Sequence, residues 1–135
     1  MKTFKIALAL TVLVSATTFT SCNKYEDGPG ISLRSAESRV ANTWEVEKYI
    51  DSDGTETAGD SNDPVYTMTK DGEYSIDDVI DTSGDWSLVD EEATLRFEST
   101  VFTVAFVLDY TILRLTKDEM WLEASNGDKV YLREK

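Results

Sequence analysis

The sequence predicts an all-β domain: about eight short strands, joined mainly by hairpins, forming a barrel or a sandwich. Three observations predict it. Apolar residues recur at every second position along much of the stretch from Trp44 to Leu132, the period of a strand with one face inward. Turn-forming groups, among them Lys70-Asp71-Gly72, Thr82-Ser83-Gly84 and Asn126-Gly127, cut this pattern at short intervals. No helical segments alternate with the strands to supply the crossovers of a parallel sheet. At 135 residues the chain is long enough for one domain and too short for two.

The first segment reads as an export signal. Lys2 and Lys5 give a positive start, and the mostly apolar run 6–14 follows. That run is too short to cross a hydrocarbon core, which takes about 20 helical residues. A charged start, a short apolar stretch and a small-residue boundary describe a signal peptide. Phe19-Thr20-Ser21-Cys22 resembles the bacterial lipobox, in which a small residue precedes an obligatory Cys. Ser21 and Cys22 match that pattern; Phe19 and Thr20 stand where Leu and Ala or Ser are usual. Residues 1–21 are therefore expected to be a lipoprotein signal peptide, with Cys22 lipidated and holding the protein to a membrane. Cys22 is the only Cys of the chain, so it has no disulfide partner within it. Residues 22–34 read as the lipidated Cys and a flexible polar tether, ahead of a barrel domain over 35–135. Lys24 with Glu26 and Asp27 resembles the Lys-plus-acidic signal of surface-exposed lipoproteins of Bacteroidetes. That resemblance implies an outer-membrane lipoprotein displayed at the cell surface.

Composition narrows the function further. Removing Lys2 and Lys5 lowers the basic residues from 13 to 11, against 26 acidic ones, a net charge of about −15. No nucleic acid partner is expected, because such affinity rests on cationic contacts to phosphate. Attraction to anionic lipid through a basic patch is disfavoured too. A high net charge favours a soluble monomer. There is no His, and lipidation would consume the one thiol. Ser-His-Asp and Cys-His catalysis and His/Cys zinc sites are thereby excluded. No enzyme, cofactor or metal site is expected.

Within the domain, Ser35 is placed to cap one or two helical turns over 35–41. Trp44, Val46 and Ile50 share one face of a first strand, and Lys48 interrupts that row. Residues 51–63 read as a long polar loop whose acids fail the EF-hand spacing, since Gly54 is fourth from Asp51 rather than sixth. Tyr66 and Met68, then Tyr74 and Ile76, flank the Asp71-Gly72 hairpin. Trp86 and Leu88 alternate after the break at 82–84, and Leu95 and Phe97 after the charged turn Asp90-Glu91-Glu92. Residues 101–108 are apolar on both faces, and 110–115 stay rich in strand formers. Around Asn126-Gly127 a three-residue loop with a bulge would pair Leu122 with Leu132 and Ala124 with Val130, gathering the aliphatic side chains on one face.

Together these pieces resemble the small lipocalin-like lipoproteins of Bacteroidetes. The stretches that carry the resemblance are 42–46, 66–74, 84–88, 110–120 and 130–133. The Gly that the lipocalin signature places two residues before the first Trp is Asn42 here. The resemblance implies an antiparallel up-and-down barrel of about eight strands with a short N-terminal helix. It leaves the ligand undefined.

Two roles follow for a barrel of this kind. It can hold a small apolar or amphipathic ligand, with Lys48, Tyr66, Met68, Tyr74, Trp86, Phe97 and Arg114 as candidate binding residues and Ile76, Leu88 and Leu95 beside them. The aromatics would stack on the ligand, while Lys48 and Arg114 interrupt otherwise apolar strands. Alternatively, the barrel is solid and contacts a protein partner through its loops, the 51–63 loop above all.

Overall fold

The computed structural model of the chain describes residues 24–29 and 33–135. The expected signal peptide and Cys22 lie outside the described residues. Helix α1 spans Ala36–Val40. Nine strands follow: β1 Thr43–Ile50, β2 Glu56–Ala58, β3 Val65–Met68, β4 Glu73–Asp77, β5 Thr82–Val89, β6 Thr94–Val101, β7 Val104–Leu115, β8 Glu119–Glu123 and β9 Lys129–Glu134. From β3 to β9 each strand pairs antiparallel with the next, β1 pairs with β3, and β9 returns to pair with β1. That last ladder closes eight strands into an up-and-down barrel. The short β2 lies beside the second half of β1, where β3 does not reach.

The meander defines two ends. The base holds α1 and the β3–β4, β5–β6 and β7–β8 turns. The mouth holds the β1–β2, β4–β5, β6–β7 and β8–β9 connections. Ser35 caps α1 as expected, its hydroxyl accepting from the Ser38 N–H at 3.2 Å. The helix plugs the base: Val40 is fully buried, and Trp44 Nε1 donates to the Val40 carbonyl at 2.9 Å. Leu95, Leu115 and Met120, all without exposure, complete that end.

Two β-bulges reset which side chains face inward. At Glu47, Val46 faces Leu132 while Lys48 faces Tyr131. The extra residue reverses the parity of β1. Trp44 and Val46 point into the core; beyond the bulge it is Tyr49, not Ile50, that packs there. At Leu113, Ile112 faces Leu122 while Arg114 faces Trp121, so Ile112 and Leu115 are both core residues.

Several sequence expectations are corrected. Residues 24–29, read as part of a flexible tether, are packed against the barrel. Tyr25 is 1% exposed, the Asp27 N–H donates to the Leu113 carbonyl at 2.6 Å, and the Leu115 N–H donates to Gly28 at 3.1 Å. Lys24 pairs with Glu92 of a basal turn. The segment continues the sheet where β6 has ended and β7 has not. The 51–63 loop contains β2; its residues are all exposed, so no apolar alternation announced it. Gly84 lies inside β5, not at a break. A Cβ there would sit 2.1 Å from the Glu98 carbonyl oxygen, so only glycine admits the approach of β6. In the last hairpin Leu122 faces Val130 and Met120 faces Leu132. The register differs from the expected one by two residues, which leaves the same side chains inward.

The run 101–108 is not core. The β6–β7 turn falls at Phe102 and Thr103, both with positive φ (48° and 74°), a hairpin geometry in which Gly or Asn is usual. Its strands project past the mouth as an arm. Phe102 is 94% exposed, and Val104, Phe106, Val107 and Leu108 are each about half exposed.

Candidate functional site

Above the packed base the barrel is hollow. A cavity of about 250 Å³ opens toward the mouth. Its wall is Tyr66 and Met68 of β3, Tyr74 and Ile76 of β4, Thr82 of β5, Phe97 and Ser99 of β6, Leu108 and Tyr110 of β7, Leu122 of β8, and Val130 and Leu132 of β9. These residues are the inward set of their strands, as register shows: Tyr66 faces Ile76, Ile76 faces Thr82, Phe97 faces Leu108, and Leu122 faces Val130. At about 30 Å³ per water the space equals roughly eight waters. It suits a single ring or a short chain.

The wall is aromatic. Tyr74 meets Phe97 edge to face at 4.9 Å between centroids, and Phe97 meets Tyr110 the same way at 5.9 Å. Among the described residues, no charged side chain lines the space. Burial pushes the Tyr66 phenol up to about 12, helped by Tyr110, Asp78 and Asp63 acting through space. Burial also raises Tyr110, with Tyr74 adding to it. Tyr66 and Tyr110 therefore stay neutral at physiological pH and can donate as well as accept. At the mouth, Asp63 is fixed in place. Its Oδ1 accepts from the Tyr49 hydroxyl at 3.0 Å and its Oδ2 from the Asp60 N–H at 2.6 Å.

Of the candidate residues, Tyr66, Met68, Tyr74 and Phe97 meet at the cavity, with Ile76. Trp86, Leu88 and Leu95 do not line it. Trp86 is buried toward the base, its Nε1 donating to the Thr69 carbonyl at 2.9 Å. Lys48 and Arg114 lie on the outer surface, because each follows a bulge. There they end a row that crosses four strands. Lys48 Nζ lies 5.0 Å from the Tyr131 ring centroid, Tyr131 stacks on Trp121 at 4.1 Å, and Arg114 Cζ lies 5.3 Å from Trp121. Lys48 also pairs with Glu56, and Arg114 with Glu119. Their interruption of apolar strands thus reflects outer-face cation–π packing.

Sequence reasoning missed Thr82, Ser99, Leu108, Tyr110, Leu122, Val130 and Leu132 as cavity residues. Leu108, Tyr110 and Ile112 do carry a period-two signal. It was hidden because 101–108 is apolar on both faces and no Gly marked the turn at 102–103.

Fold and cavity define a lipocalin-like barrel. Solved structures of the same shape include a lipocalin-like protein from Bacteroides uniformis, with a TM-score of 0.56 and 19% identity over 72% of this chain and 99% of that one. An uncharacterised protein from Bacteroides eggerthii aligns with a TM-score of 0.55 and 16% identity, over 71% of this chain and 99% of that one. A protein from Burkholderia xenovorans gives 0.53 and 12%, over 82% and 97%. At these identities the likeness is one of fold. The chain matches no protein-family model and no curated protein sequence.

Proposed function

We propose that this chain is a lipid-anchored cell-envelope protein whose barrel is a non-catalytic binding module for a small apolar or amphipathic ligand. The observation that carries the reading is the open cavity of about 250 Å³ lined by apolar and neutral aromatic side chains. Ligand sites are concave, mostly apolar and furnished with a few polar groups; here the Tyr66, Tyr74 and Tyr110 hydroxyls with Ser99 and Thr82 fill that last role. A hollow interior also weighs against the solid-barrel alternative. Want of His and of a second Cys supports a binding role over catalysis.

The lipobox-like Phe19-Thr20-Ser21-Cys22 supports the anchor. Two residues span at most about 7 Å, so a lipid on Cys22 would lie close to Lys24, which docks at the base. The mouth would then face away from the membrane, in keeping with outer-membrane, surface-facing placement. The net charge supports a monomer that avoids nucleic acid.

Native mass spectrometry of the protein from its host tests the carrier role. A stoichiometric small molecule is expected, and its loss in a Thr82→Trp variant that fills the mouth. Retention by that variant would place the ligand elsewhere. For the anchor, Cys22→Ala should lose acyl mass and membrane fractionation; unchanged fractionation refutes lipidation.

A further inference from the structure

The carrier reading does not say what charge the ligand bears. We infer that the cavity takes organic cations: amines with one ring or a short chain as their apolar body, in preference to carboxylates of the same shape. The inference rests on the carrier reading and deepens it.

Three observations point this way. First, among the described residues the wall holds four aromatic rings and no cation. An aromatic face is negative and attracts an ammonium group within about 6 Å, the more strongly once it is desolvated. A carboxylate in the same place meets the repulsive face and finds no counter-ion. Second, two of the four connections at the mouth are acidic. Segment 51–64 carries five carboxylates and no basic residue, and segment 77–81 carries three and none. The basic side chains in the strands flanking them are engaged outside the cavity, Lys48 with Glu56 and Lys129 with Glu123. Third, one of these carboxylates is held in position. Asp63 accepts from Tyr49 and from the Asp60 amide, and stands two residues before the start of β3, which carries Tyr66. The arrangement seats an apolar body among Tyr74, Phe97 and Tyr110, with the ammonium toward Tyr66 and Asp63. Oriented acids outside a low-dielectric pocket also favour the approach of cations and repel anions.

The test uses three matched probes: 4-phenylbutylamine, 4-phenylbutanol and 4-phenylbutyrate. Affinities are measured by calorimetry on the intact domain, with binding located by amide chemical-shift changes. The amine is expected to bind about tenfold or more tighter than the carboxylate, with the alcohol between. The gap should shrink between about 0.01 M and about 1 M salt, as the screening length falls from about 30 Å to about 3 Å. Asp63→Asn should narrow the amine's advantage and leave the alcohol unchanged. Asp78→Asn, at an exposed loop, gives the same readout if the first variant fails to fold. Equal or tighter binding of the carboxylate overturns the inference and leaves the carrier reading standing. Failure of all three probes to shift cavity amides overturns both. An amine preference that survives Thr82→Trp with shifts confined to outer loops overturns the inference as surface attraction.

Discussion

Gly84→Ala tests the barrel's geometry and its cavity at once. The added Cβ would lie 2.1 Å from the Glu98 carbonyl oxygen and 2.9 Å from Cε1 of Tyr74, whereas ordinary contact begins at 3.4 Å. Relief therefore takes a movement of about 1.3 Å between β5 and β6, and a further one of about 0.5 Å by the Tyr74 ring. Backbone N–H···O bonds tolerate only about 2.7–3.2 Å, so such a shift breaks at least one rung near Asp85 and Glu98. Overpacking costs about 1–3 kcal/mol, and a lost backbone bond adds about 1 kcal/mol. The expected loss is about 2–4 kcal/mol, a large part of the roughly 5–15 kcal/mol that holds a domain. Urea unfolding followed by Trp fluorescence measures it. Because Tyr74 is cavity wall, affinity for an apolar probe should fall in the same variant. Gly54→Ala is the control: its Cβ would meet nothing within 4 Å, and only its φ of 90° opposes the change, at about 1–2 kcal/mol. If Gly84→Ala is no more destabilising than Gly54→Ala, the packing of β5 on β6 described above is wrong.

Three further outcomes follow from the same structure. Leu95→Ala empties a fully buried site in the base and should cost about 2–5 kcal/mol in urea unfolding; a loss under about 1 kcal/mol contradicts the packed base. Lys48→Met and Arg114→Met remove the cations from the outer aromatic row and should lower stability by about 1 kcal/mol or less each, with cavity-probe affinity unchanged; altered affinity would return these residues to the site. Alkaline pH should unfold the domain. The Tyr25 and Tyr66 phenols are held up to about 12, mainly by burial, against about 10 when unfolded. Between those values the folded chain keeps protons that the unfolded chain sheds, so stability is complete below pH of about 10 and declines toward about 12. Tyrosinate absorbance that rises fully near 10 with circular dichroism intact contradicts this burial.

How far the sequence could be read is clear from particular elements. The hairpin at Asp71-Gly72 was legible because Gly72 supplies the positive φ of 86° such a turn needs. The cap at Ser35 was legible because a hydroxyl at that position satisfies an orphan helix amide. The inward run Tyr66, Met68, Tyr74, Ile76 and Phe97 followed from period two alone. The turn at Phe102 and Thr103 was not legible, since neither residue favours positive φ. With it went the Leu108 and Tyr110 side of the cavity.

The sequence by itself determined what can be written in local terms: strand periodicity, most turns, the short helix and the absence of imidazole. Each depends on residues a few positions apart. Tertiary structure alone decided the closure of β9 on β1, the bulges at Glu47 and Leu113, the docking of Tyr25 and the hollow above the base. A bulge adds one residue opposite a partner strand, so it exists only in relation to residues such as Leu132 or Trp121 far along the chain. By reversing parity it sent Lys48 and Arg114 outward. A cavity is likewise space that distant side chains leave unfilled, which no single segment records.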